Sequence, residues 1–261
     1  MPARVGGRAT RPGHAAGGIV IDFTVKLEAG QGVQQSEEAF TVTFAHGRSE
    51  RMRLHDYERM YAVPGLYEEV IQRRLQCASP AKIADVLLRV AELETREPHL
   101  LRVLDLGAGN GIVGEELRAR GVDVLVGTDS ASEAGTATAR DRPGLYSSYV
   151  VGDLKGMPEL GTLVRELGIN CIVCAGALGF EHIEAHSFMQ LWELLAPGAI
   201  FALTVHEDLA QPGTSDIGDE LEALRAGEAD TDLVISERFR HRLTTSGEPI
   251  HYLAIGARKR A

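Results

Sequence analysis

Leu101, Val103, Leu104 and Leu106 form a short apolar run with few polar breaks, the pattern of a strand buried on both faces. Ile112, Val113, Leu117 and Ala119 follow at helical spacing, and Gly121 stands where that helix should end. Val122 to Val126 then make a second apolar strand that closes at Asp129. The same rhythm continues downstream. Strands are predicted over Tyr149–Leu154, Asn170–Ala175 and Ile200–Val205, a helix over Ile217–Arg225, and a closing strand pair over Leu233–Leu243 and Ile250–Ala257. Upstream, Ile83, Val86, Leu87, Val90 and Leu93 draw one apolar stripe on a helix over Ala81–Glu94, capped by Ser79-Pro80. His55 to Leu75 reads as two helical pieces broken at Pro64-Gly65. The N-terminal pattern differs: Ile19, Ile21, Phe23, Val25 and Leu27 alternate with polar positions, as do Phe40, Val42 and Phe44. Two half-buried strands joined by the polar loop 28–39 make a hairpin-like arm. Its apolar face must pack on something, either its own chain or a second subunit.

Strand and helix alternate from Leu101 onward, which predicts an α/β domain with a largely parallel sheet. Between the first strand and its helix, Gly107, Gly109 and Gly111 give a turn that a ligand can approach without meeting a Cβ. A strand, glycine turn, helix and second strand tipped by Asp129 is a unit that binds an adenosine-containing cofactor, the acid holding the ribose hydroxyls. Read literally, Gly109 to Gly114 is G-x-G-x-x-G, a dinucleotide fingerprint. Asp105 argues against it, because a pyrophosphate on this turn would meet a like charge. The ammonium and sulfonium of S-adenosylmethionine would instead be favoured by that acid. Replacing Asp105 with Asn is then expected to abolish binding of S-adenosylmethionine and to be tolerated by a dinucleotide.

Val103-Leu104-Asp105-Leu106-Gly107-Ala108-Gly109-Asn110-Gly111 resembles motif I of the class I S-adenosylmethionine-dependent methyltransferases. The resemblance runs from about Asp56 to the C-terminus. Within that family the chain is most similar to UbiE-like enzymes of the methyltransferase-like-27 type, through Gly111 to Gly121 and Gly176-Ala177-Leu178. It implies a Rossmann-like three-layer sandwich whose seven-stranded sheet is mostly parallel with the last strand antiparallel, here preceded by the arm. It also implies methyl transfer to a small-molecule nucleophile, with O, N or C undecided. The cofactor would lie against Asp105, Gly107, Ala108, Gly109 and Asn110, with Asp129 and Ser130 at the second strand. Asp153 would accept the adenine amino group beside Leu154, and Ala175 and Gly176 would contribute backbone. Ser130 is also read as the cap of the next helix. In the family a helix before motif I lies over the cofactor, which makes Tyr61 of the Tyr61-x-x-Pro64-x-x-Tyr67 segment a candidate contact. His206 and Glu207, at the carboxyl end of the fifth strand, are candidates for proton acceptor or substrate contact. The Asn/Asp-Pro-Pro-Tyr/Phe loop of amide- and base-modifying enzymes is replaced by Gly176-Ala177-Leu178-Gly179.

Composition trims these options. At 261 residues the chain can hold one well-cored α/β domain and a small addition. The expected division is a disordered tail over 1–17, the arm over 18–54 and the methyltransferase domain with its lid helices over 55–261. A net charge of −10 disfavours a nucleic-acid footprint, and no apolar run approaches the ~20 residues of a membrane helix. Three cysteines and no apolar leader fit a cytoplasmic protein. Cys171 and Cys174 are three apart on a strand, point to opposite faces and cannot share an ion. His182, Glu184 and His186 have metal-like spacing without a further strong ligand, so no metal is expected. Two other classes stay open: an NAD(P)-dependent oxidoreductase, and a non-catalytic S-adenosylmethionine-binding protein working through the arm.

Overall fold

The computed structural model describes residues 22–30, 34–154, 158–179, 183–227 and 230–260. The expected tail, and the arm's first residues up to Ile21, lie outside the described residues.

The arm is a three-stranded antiparallel sheet, β1 (Phe23–Leu27), β2 (Ala39–Phe44) and β3 (Ser49–Arg53), in that order. β3, Ser-Glu-Arg-Met-Arg, escapes the sequence pattern because Met52 is its sole apolar position. Val25 faces Val42 and Phe40 faces Met52, so one side of the sheet is continuously apolar. That side closes on helix α1 (Tyr57–Ala62) and a π-helical segment (Glu68–Arg74), in a core with Met60, Leu66, Val70, Ile71 and Leu75. The face a dimer would have used is therefore taken up by the chain's own lid.

The main sheet has the order β6-β5-β4-β7-β8-β10-β9, counting β4 (Arg102–Leu106), β5 (Val124–Asp129), β6 (Ser148–Val151), β7 (Cys171–Ala175), β8 (Ile200–His206), β9 (Thr231–Leu243) and β10 (Pro249–Lys259). The first five run parallel, and β10 runs antiparallel to both of its neighbours. One face, with Leu104, Leu106, Cys174 and Phe201, packs on α5 (Pro158–Glu166), α6 (Ala185–Glu193) and α7 (Asp216–Ala226). The other, with Val103, Leu125, Cys171 and Ala202, packs on α2 (Ser79–Leu93) and α3 (Ile112–Ala119). Cys171 and Cys174 thus lie on opposite sides of the sheet. α2 approaches β10 closely: a Cβ on Gly256 would stand 2.7 Å from Val90 and 2.8 Å from Val86.

Three details depart from the sequence pattern. Leu93, the last member of the α2 stripe, is 64% exposed. Ser79 lies inside the first turn of α2 and turns its hydroxyl to His241 instead of capping. Ser130 does not cap α4 (Ser132–Asp141) either; the cap residue is Ala131, whose amide is taken by Asp129.

Arm and main sheet are pinned by a buried ion pair. Arg242 Nη2 donates to Glu38 Oε2 at 2.6 Å, and the Thr245 amide donates to Glu38 Oε1 at 2.6 Å. The Leu243 amide donates to the Leu75 carbonyl (2.7 Å), extending the tether to the lid.

Candidate active site

A cavity of about 1320 Å³ lies beyond the carboxyl ends of β4, β5, β7 and β8, beneath the arm and α1. This is where an open parallel sheet presents ligands, because its strands end in loops there. Gly107, Ala108, Gly109, Asn110, Asp129, Ser130, Asp153, Leu154, Ala175 and Gly176 all line it.

The glycine turn is shaped by what crowds it. A Cβ on Gly107, which has φ +67°, would stand 2.6 Å from the Ala177 Cβ. A Cβ on Gly109 would collide with the Tyr61 hydroxyl. The Gly109 amide donates to Asp129 Oδ2 (2.9 Å), and its carbonyl accepts from Thr138 Oγ1 (2.9 Å) and Tyr149 Oη (2.6 Å). Asp129 also accepts the Ala131 amide through Oδ1 at 2.9 Å. The second-strand acid is thus locked to the turn while facing the cavity. Asn110 turns its side chain away, donating to Glu68 Oε1 (2.8 Å) on the lid. Arg142 completes this latch by donating to Glu68 Oε1 and to the Asn110 carbonyl, both at 3.0 Å.

Asp105 does not line the cavity. Its neighbours Leu104 and Leu106 occupy one face of β4, so strand alternation sends Asp105 to the other, beneath α3. There it is fully buried and accepts the Tyr146 hydroxyl at 2.6 Å, while among the described residues its second oxygen finds no hydrogen-bond partner. Tyr146 reaches it across Gly114, where a Cβ would stand 2.6 Å from the phenol oxygen. The last glycine of G-x-G-x-x-G here makes room for a tyrosine. Burial raises the Asp105 carboxyl to about 7, the Tyr146 bond opposes this, and Asp129 adds to it. Any effect of Asp105→Asn on a ligand must therefore travel through the turn, and Asp105 sets no like charge in the cavity wall.

Tyr61 sits over Gly109 and forms a cluster with Tyr57 (ring centroids 6.2 Å) and Tyr67 (5.1 Å). Burial holds all three phenols protonated, raising Tyr57 to about 12 and the other two well above their usual range. His206 lines the cavity at the end of β8, edge-on to Tyr252 with ring centroids 5.3 Å apart. Its Nδ1 accepts the Asp208 amide at 3.2 Å. Glu207 points elsewhere. It takes a two-pronged bond from Arg238 of β9 (2.6 and 3.2 Å), which lowers its carboxyl, and it does not line the cavity. His206 is the last residue of β8 and Glu207 opens the turn after it, where the chain leads its side chain to Arg238 and away from the cavity. His182 lies outside the described residues, and His186 is exposed on α6. Among the described residues no group of three His, Cys, Asp or Glu could hold a metal ion.

The sequence pattern gave no site role to Thr128, Gln72, Cys77, Ser79, His241 or Tyr252, all of which line the cavity. Their signal is weak because they come from strand interiors and the lid, away from any motif. His241, in the otherwise basic run Arg238-Phe-Arg-His-Arg242, is the one that a search for odd residues could have raised.

No family model matches this chain, and no curated protein matches it in sequence. Its fold does match solved structures. A S-adenosylmethionine-dependent methyltransferase from Anabaena variabilis is 15% identical with a TM-score of 0.53, over 80% of this chain and 96% of that one. The N-methyltransferase NodS from Bradyrhizobium japonicum, solved with S-adenosylhomocysteine, is 18% identical with a TM-score of 0.52, over 79% and 97%. A proposed RNA methyltransferase from Pyrococcus horikoshii is 15% identical with a TM-score of 0.51, over 71% and 88%. The chain therefore has the Rossmann-like α/β fold of S-adenosylmethionine-dependent methyltransferases, with an added N-terminal β-sheet.

Proposed function

We propose that the protein is an enzyme that transfers a methyl group from S-adenosylmethionine to a small molecule. One observation carries this reading: the glycine turn of β4 and the acid of β5 bound a cavity that continues into a roofed chamber. The residues present suit the cofactor. Asp129 faces the cavity where ribose hydroxyls would donate to it, Asp153 and Leu154 stand at the adenine end, and Ala175 and Gly176 offer backbone. Thr128 adds to the cavity wall a buried hydroxyl oxygen that has no hydrogen-bond partner among the described residues. The bound cofactor supplies a methyl group on a sulfonium, ready for displacement by a nucleophile. The chain's task is to hold the two reactants in line and exclude water. Tyr61 and the latched lid close the site over Gly109. His206 offers an imidazole for a nucleophile's proton, which is needed only where the nucleophile keeps that proton near neutral pH.

A small acceptor fits the cavity beneath the lid and the −10 charge better than RNA does, and the UbiE-like subtype remains our assignment. Three unpaired cysteines suit a reducing cytoplasm. An NAD(P)-dependent oxidoreductase is the second reading, and the exclusion of Asp105 from the cavity removes one objection to it. The sheet opposes it: a dinucleotide-binding sheet runs 3-2-1-4-5-6, whereas β10 is inserted here antiparallel beside β8. Calorimetric titration with S-adenosylmethionine, S-adenosylhomocysteine, NAD and NADP separates them. Micromolar binding of the first two alone is expected; binding of NAD or NADP alone would overturn the proposal.

A further inference from the structure

β9 and β10 pair regularly around the site except at one step. Arg240 faces His251 and Arg242 faces Ile250, which leaves His241 as the extra residue of a β-bulge. A bulge takes one residue out of the ladder and re-aims its side chain. The carbonyl released at His241 accepts the Ala78 amide at 2.8 Å, and the imidazole enters the cavity beside Gly176. Nδ1 stands 2.6 Å from Ser79 Oγ, and the ring stacks on Tyr252 with centroids 3.9 Å apart. Among the described residues no hydrogen-bond partner takes Nε2. The groups facing the ring are Cys77 and Ser79 at the start of α2, Arg242 on β9, His206 on β8 and Tyr252 on β10. Burial first, then Arg242 and His206, lowers the imidazole to about 3 and keeps it neutral.

The wall next to the ring is aromatic and polar, and a carboxylate on the cavity, Asp208, stands beside His206. Tyr57, Tyr67 and Tyr252 contribute ring faces, and Gln72 adds an amide that lies against the Cys77 thiol. Arg242, the ionised side chain buried here, is already paired with Glu38. A charged group brought against His241 would lose water, and none of the groups touching the ring offers it a counter-ion.

We infer that His241 is the residue that seats the methyl acceptor, through Nε2, and that the acceptor is an uncharged planar ring carrying a hydroxyl. A hydroxyl both donates and accepts, so the contact forms with either imidazole tautomer. The inference rests on the methyltransferase reading for the word acceptor, but the ring site itself is testable alone.

The test is titration of the full chain with 2-naphthol, naphthalene and 6-hydroxy-2-naphthoate, with and without S-adenosylhomocysteine, for wild type, His241→Ala, His241→Gln and Ser79→Ala. Nitrogen-15 spectra of the histidines are recorded alongside. In wild type, 2-naphthol is expected to bind about tenfold more tightly than naphthalene, to exceed the carboxylate, and to move the His241 nitrogen resonances. His241→Ala should erase the preference for the hydroxyl while naphthalene binding persists, His241→Gln should keep part of it, and Ser79→Ala should reduce it. Melting curves identify a variant that fails to fold, in which case His241→Gln and the wild-type resonance shifts decide. An unchanged preference in His241→Ala, tighter binding of the carboxylate, or no 2-naphthol binding overturns the inference. Failure of S-adenosylhomocysteine to bind while 2-naphthol binds through His241 would overturn the methyltransferase reading and leave the ring site standing.

Discussion

Asp105 is a buried acid whose ionisation the fold resists, and Asp105→Asn should expose that cost. Its carboxyl titrates near 7 in the folded chain, raised first by burial, against 3.8 ordinarily. Between about pH 4 and pH 7 the folded chain therefore keeps a proton that the unfolded chain has released. A raised acid contributes stability that is complete below its unfolded pKa and is lost as pH climbs through its folded one. At ~1.4 kcal/mol per pH unit, the total lost is ~4 kcal/mol. Asparagine keeps an acceptor for Tyr146 and never ionises, but it places an amide NH₂ where Asp105 Oδ1 has no partner, a cost of ~1–3 kcal/mol. The variant should therefore be the more stable protein at pH 8 by ~1–3 kcal/mol, and equal to or weaker than wild type near pH 5. The swing between the two pH values is ~3 kcal/mol, or ~5–10 °C in melting temperature. Urea denaturation of both proteins at the two pH values measures it, since titrations they share cancel in the difference. A difference that stays constant with pH would refute the reasoning.

Glu38→Ala strands the buried Arg242 charge and frees the Thr245 amide, and should cost ~3–5 kcal/mol in urea denaturation. Gly109→Ala drives a methyl group into the Tyr61 hydroxyl at a backbone φ of +54°, and should cost ~1–3 kcal/mol and weaken S-adenosylhomocysteine about tenfold or more by calorimetry. Adding Tyr61→Phe should recover part of both losses, because the next ring atom stands 3.2 Å from that methyl position. Glu68→Gln weakens the latch to Asn110 and Arg142 by ~1–2 kcal/mol, which should speed amide hydrogen exchange across residues 57–75 while leaving β4 and β5 protected.

The main sheet was legible because its strands are short apolar runs bounded by glycine and polar turns and separated by helical stripes. Val103 to Leu106 and Val124 to Asp129 follow that rule, and the turn between them carries its own signature in Gly107, Gly109 and Gly111. What the pattern could not supply was direction. Asp105 reads as a cofactor ligand in one dimension, yet the side-chain period of β4 points it under α3 toward Tyr146, a residue 41 positions away. Glu207 fails for a related reason, since the chain turns directly after His206 and Arg238 of β9 draws the carboxylate away. β3 and the His241 bulge were invisible for another reason: each depends on pairing with a distant partner, Ala39–Thr43 for β3 and Ile250–His251 for the bulge. Local composition does not encode either register.

The two halves of the cavity are built from different materials. The half proposed to hold the cofactor is made of turns at strand ends, backbone amides and two carboxylates, Asp129 and Asp153, all supplied at the ends of the parallel strands. The other half is made of side chains from elements that meet only through tertiary contacts: lid tyrosines, Ser79 of α2, and His241 and Tyr252 of the antiparallel pair. Those elements are held in register by the arm. Glu38 grips Arg242 one residue beyond the bulge, and the core formed by Phe40, Val42 and Met52 fixes the lid through Met60, Leu66 and Val70. A shift of β2 would therefore move Arg242, and with it the bulge that aims His241, while the glycine turn and Asp129 keep their own hydrogen bonds. The arm thereby becomes part of the apparatus that shapes the half of the cavity around His241, a role that its position outside the methyltransferase resemblance would not suggest.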